Sequence, residues 1–69
     1  MLRRFYLVRR EDETGISGVG HVAEGVQMSD RRVALSWLTA IPTMTFYNNT
    51  EDMLTLHGHD GRTTIEWVD

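Results

Sequence analysis

The sequence predicts a mainly β domain with one short helix, either a small five-stranded antiparallel SH3-like barrel or a strongly bent sheet. Three observations carry this. Short segments rich in Val, Leu, Ile and aromatic residues recur along the chain with period-2 patterning. Gly, Asp and Asn punctuate the gaps between them. A single segment, after Asn49, carries the capping pattern of a helix.

Residues 3–10 read as the first strand, with Arg3, Phe5, Leu7 and Arg9 on one face and Arg4, Tyr6, Val8 and Arg10 on the other. Both faces are apolar in the middle, which fits a strand covered on both sides. Residues 11–18 form a polar loop. Residues 19–28 read as the second strand, with Val22, Val26 and Met28 on one parity, and Gly20 and Gly25 marking bulges or a bend. Ser29-Asp30-Arg31 is a turn. Residues 32–38 place Val33, Leu35 and Trp37 on one face, so residues 19–38 read as a long hairpin.

Residues 39–43 form a loop containing the single proline, Pro42. Residues 44–48 read as a fourth strand with Met44 and Phe46 facing inward. Asn49 suits a helix N-cap accepting from the Asp52 amide, and Glu51 and Asp52 suit the positive helix end. Gly58 is placed to end that helix after about two turns. Residues 62–68 form the closing strand, with Ile65 and Trp67 on one face. A helical turn before the closing strand matches an SH3-like barrel; a flat sheet covered by the helix is the alternative.

The chain has 69 residues, and the reading is one small barrel-like domain over residues 1–69. It has no cysteine, so no disulfide supports it. Net charge is −3, which argues against general nucleic-acid binding. No apolar stretch approaches a membrane span, and no export signal is visible. The expected location is the cytoplasm of a bacterial host cell.

Candidate functional residues fall in three places. Arg3, Arg4, Arg9 and Arg10 bracket Tyr6, a combination suited to a specific protein interface. Solvated strand ends are the competing reading, since Glu11, Asp12 and Glu13 follow at once. Ser17, Gly18 and Gly20 belong to a Gly-rich segment whose backbone amides suit a weak anion site. Its formal G-x-G-x-x-A pattern lacks the βαβ context of a dinucleotide site. His57, His59 and Asp60 are weak metal-ligand candidates; helix-end and turn roles explain them more simply, and no metal or other cofactor is assigned.

Catalytic motifs are lacking. There is no cysteine nucleophile, and the serines stand in no recognisable elbow. Glu24 and Glu66 are placed on neighbouring strands as a potential carboxylate pair, with solvated outer-face charges as the default.

An ordered set of motifs is more specific than any of these alone. Thr14-Gly15-Ile16-Ser17-Gly18-Val19-Gly20, Val22-Ala23-Glu24-Gly25-Val26, Val33-Ala34-Leu35-Ser36-Trp37, Glu51-Asp52 and His57-Gly58-His59-Asp60-Gly61 follow in sequence. Together, over residues 5–68, they resemble a family of short bacterial, notably actinobacterial, and phage proteins. Similar sequences tend to carry Asp-Gly at the hairpin turn; here Arg31 follows Asp30, which argues against a simple two-residue type I′ turn. The resemblance implies a biological context rather than a mechanism.

The function expected is therefore a small non-enzymatic protein-interaction module, phage-encoded and binding a host factor. The alternative is a small-ligand or nucleotide-binding oligomeric domain. The expected partner is a protein, with no general nucleic-acid binding and no membrane involved, and a homodimer would bury surface that so short a chain leaves open. An exposed apolar patch beside an open strand edge would favour the interaction reading.

Overall fold

A computed structural model describes residues 1–10, 20–58 and 61–69. The elements are β1 (Arg3–Arg9), β2 (Gly20–Gln27), β3 (Val33–Trp37), β4 (Met44–Tyr47), α1 (Thr50–His57) and β5 (Thr63–Trp67). All strand pairs are antiparallel, and the spatial order is β4-β3-β2-β1-β5. The sheet does not close. β4 and β5 lie at opposite edges, so the bent-sheet alternative holds and the closed barrel does not form.

The register explains the two faces. Phe5 pairs with Gly25 and Trp67, and Gly25 pairs with Leu35. Leu7 pairs with Ala23 and Ile65, and Ala23 pairs with Trp37. Directly opposite residues share a face, so these rows form one apolar layer. α1 lies on that layer through Met53, which is fully buried with Phe5, Leu7, Ala23, Val33 and Leu35. Trp37, Tyr47, Ile65 and Trp67 pack around this core. Gly25 is required by this arrangement: a Cβ there would sit 2.5 Å from Phe5 Cζ and 2.7 Å from the Ala34 carbonyl oxygen.

The second strand departs from simple alternation. The β1–β2 register slips between Leu7 and Val8, because Ala23 faces Leu7 while His21 faces Val8. Val22 is the extra residue, and it packs against the core instead of sharing a face with Val26. The bulge thus falls between the two glycines. Gly20, at φ 96°, opens the strand in a conformation that favours glycine.

The β2–β3 turn is a three-residue loop. The Arg31 amide donates to the Met28 carbonyl at 2.9 Å, and the Met28 amide to the Arg32 carbonyl at 2.7 Å. Arg31 sits at φ 75°, the left-handed position of this loop type. Arg32 donates to both Asp30 carboxylate oxygens, through its amide at 3.1 Å and its Nε at 2.7 Å.

α1 begins as expected, with Asn49 Oδ1 accepting from the Asp52 amide at 2.8 Å. Its end differs. Gly58 stays right-handed at φ −72°, and its amide donates to the Leu54 carbonyl. A Cβ at Gly58 would lie 2.5 Å from that oxygen, so close approach rather than a left-handed turn selects glycine. The positive φ of 88° falls at Gly61.

Candidate interaction surface

Among the described residues, no helix lies over the sheet face away from α1. Three rows of side chains cross it. Phe46, Ala34, Val26 and Arg4 form the first row, by direct pairing from β4 to β1. Met44, Ser36, Glu24, Tyr6 and Glu66 form the second, spanning all five strands. His21, Val8 and Thr64 form the third. The face is therefore apolar toward β4 and charged toward β5.

Met44 is 58% exposed and Phe46 72% exposed. The expectation that they face inward is overturned, and Thr45 and Tyr47 take the inner face instead. The reason is loop length. The Trp37 amide donates to the Thr43 carbonyl, which places Thr43 opposite Trp37. Trp37 faces the core, so Thr43, Thr45 and Tyr47 share its face. Polar partners satisfy the inner residues: Trp37 Nε1 donates to Thr45 Oγ1 at 3.2 Å, and the Tyr47 hydroxyl hydrogen-bonds His57 Nε2 at 2.7 Å. A connecting loop one residue longer would have put Met44 and Phe46 inside.

An open concavity of about 360 Å³ lies on the same face, lined by Arg4, Tyr6, Glu24, Val26, Ser36 and Met44 among others. Two further hollows flank the Phe46 side chain, one toward Leu56 and Asp52 on α1, the other toward Met28 and Arg32. Leu56 is 65% exposed and Met28 half-exposed. Phe46 is thus the centre of an apolar surface that wraps the β4 edge.

The candidate arginines do not act as one cluster. β1 lies one strand in from the edge, and its alternation divides them. Arg4 and Arg10 share the uncovered face with Tyr6, whereas Arg3 and Arg9 belong to the helix-side parity. Arg4 forms a two-pronged bond to Asp69, Nε to Oδ2 at 2.9 Å and Nη2 to Oδ1 at 2.7 Å. Its amide also donates to Asp69 Oδ2 at 2.8 Å. These donors hold the Asp69 carboxyl well below the usual carboxylate range, and the pair raises the Arg4 pKa. Arg10 Nε donates to Thr64 Oγ1 at 3.2 Å. The Arg3 guanidinium lies 3.9 Å from the Trp67 ring centroid, a cation–π contact. Arg9 Nε is buried with no hydrogen-bond partner among the described residues.

Tyr6 stacks on His21, ring centroids 4.2 Å apart and planes 3° apart. His21 Nε2 stands 3.3 Å from Glu66 Oε1. Glu24 and Glu66 both pair with Tyr6, from opposite sides. They sit two strands apart, roughly 10 Å, rather than on neighbouring strands as expected.

Of the other sequence candidates, Ser17, Gly18, His59 and Asp60 lie outside the described residues. Gly20 opens β2, and a Cβ there would meet nothing within 4 Å. His57 is half-buried, engaged by the Tyr47 hydroxyl and edge-on to Trp37 at 5.0 Å. Among the described residues no group of three or more potential metal ligands comes together. No helix is long and apolar enough to cross a membrane among those residues.

Sequence reasoning missed Met44 and Phe46 as surface residues. A signal was available: Trp37 needs an acceptor for its indole N–H, and threonine at 45 supplies it only if 45 faces inward.

No curated protein matches the chain, and no solved structure does. A family model matches residues 2–69, nearly the whole length, and it carries the phage association that the ordered motifs implied: the chain belongs to the Acb5 phage protein family.

Proposed function

We propose that this protein is a small non-enzymatic interaction module, encoded by phage, that acts inside the bacterial host cell by docking a host protein on its uncovered sheet face. The observation that carries the reading is the exposed pair Met44 and Phe46 beside an open strand edge. Large apolar side chains cost solubility on a monomer surface, and grouped ones mark sites covered by a partner. Arg4, Tyr6 and Arg10 stand beside Met44 and Phe46 on the same face, and Arg, Tyr, Phe and Met are the residue types enriched at specific interfaces.

The arginines contribute unequally in this reading. Among the described residues, the Arg10 side chain donates to the uncharged Thr64 hydroxyl and can be re-aimed. Arg4 is already held by Asp69, so its use by a partner requires that partner to replace Asp69 or to accept the pair as a unit.

The test is affinity capture from bacterial lysate followed by reconstitution with the purified captured protein. Phe46→Asp with Met44→Asp should reduce affinity at least 100-fold while circular dichroism stays unchanged. Arg10→Ala should reduce it only a few-fold. Retained affinity in the Asp variant would remove the apolar centre from the reading. A thermal-shift panel of nucleotides tests the ligand reading; a clear upward shift with any of them would favour it over a protein partner.

A further inference from the structure

We propose that β4 pairs with β4 of a second copy of this chain, antiparallel and edge to edge, so that two sheets join into one continuous sheet. This goes beyond docking of a host protein, because it uses the outward backbone groups of the β4 edge.

The hydrogen-bond pattern of the edge supports it. The Trp37–Thr43 bond fixes Thr43, Thr45 and Tyr47 as the residues whose backbone groups point toward β3. Met44 and Phe46 therefore point their N–H and C=O groups away from the sheet. A twofold axis at Thr45 places Thr45 opposite Thr45 of the partner subunit. Met44 then faces Phe46 of the partner subunit, and the two residues exchange both backbone bonds. The symmetric contact repeats this, so both outward residues of each edge are satisfied.

The edge is also chemically able to meet itself. Residues 41–48 (Ile-Pro-Thr-Met-Thr-Phe-Tyr-Asn) contain no charged side chain, so no like charges oppose one another across the axis. Exposed edges are usually guarded by charge; β4 carries none. The same-face rule brings Met44 and Phe46 of each chain side by side with those of the partner on the uncovered face. Short strands bury less than the 1,200 Å² of a standard interface, so the expected dissociation constant is about 10 μM or weaker.

The experiment is sedimentation equilibrium of the full chain from about 5 to 500 μM. Mass should rise from 8.0 kDa toward twice that value. Phe46→Pro removes an outward N–H while sparing the β3 ladder, and should stay monomeric with an unchanged circular dichroism spectrum. Because the chain has no cysteine, Thr45→Cys should cross-link to its own copy on mild oxidation, at least tenfold faster than Met44→Cys. A monomer at every concentration overturns the proposal. So does equal cross-linking of the two cysteine variants, which would mean random collision. If Thr45→Cys proves unfolded for want of the Trp37 acceptor, the sedimentation comparison of Phe46→Pro with the parent chain still decides.

Discussion

The two edges of the sheet are built on opposite plans. At β5 the chain closes itself: Arg4 grips Asp69, Arg10 bonds Thr64, and Arg3 covers Trp67. Glu66 puts a charge on the strand. At β4 no charge appears, and Met44 and Phe46 stand in water. One edge uses arginine to finish the fold, while the other leaves apolar surface unspent. The lesson is that an arginine-rich strand does not by itself mark the binding surface. Here the neutral, apolar edge has more surface to offer a partner.

The largest expected effect tests what both edges share. Leu35 is fully buried on β3, in the apolar core that Phe5, Leu7 and Met53 share. Leu35→Ala should cost about 2–5 kcal/mol and loosen both edges together. Chemical denaturation measures it; a loss confined to one edge by hydrogen exchange would mean the halves are less coupled than the shared core implies.

The next effect separates the edges. Trp67 meets Phe5 edge-on at 5.4 Å and carries the Arg3 guanidinium. Trp67→Ala should lose about 2 kcal/mol, below a fully buried tryptophan because the ring is half-buried. Phe46→Ala should change stability by no more than about 0.5 kcal/mol. Equal losses in thermal melts would erase the distinction between a structural edge and an exposed apolar one.

A gain is expected at the hairpin turn between them. Arg31 occupies a left-handed conformation that costs a non-glycine residue about 1 kcal/mol. Arg31→Gly should raise stability by about that amount, or by several degrees in Tm. A neutral or negative change would show that the Arg31 side chain makes a compensating contact.

The smallest effect concerns the exposed Arg4–Asp69 pair. Asp69 has its folded-state pKa lowered, first by the Arg4 side-chain bond and then by the Arg4 amide. A lowered carboxylate pKa contributes stability above the unfolded value, about 3.9, and loses it as pH falls toward the folded value. Asp69→Asn should therefore be slightly less stable than the parent at pH 7 and match it in strong acid. A difference that persists at low pH would assign the effect to something other than the charge.

Much of the fold was legible because local patterns carried it. The Val33-Leu35-Trp37 alternation marks an inner face, and the structure places all three there. The Asn49 cap and its Asp52 amide follow from the chemistry of helix ends. The site was less legible. Candidate arginines were visible as residue types, but their partners lie across the chain: Asp69 is 65 positions from Arg4. Glu24 and Glu66 looked like neighbours until the register put Tyr6 between them.

What the sequence by itself determined is the set of strands, the one helix and its cap, since these depend on side-chain periodicity and on hydrogen bonds reaching a few residues. What only the tertiary structure decided is which face each edge residue takes and whether the sheet closes. Facing depends on the parity of a loop and on the acceptor that Trp37 finds in Thr45. Closure depends on whether β4 and β5 can meet, and α1, seated on the core through Met53, covers one face of a sheet whose end strands, among the described residues, do not pair with each other.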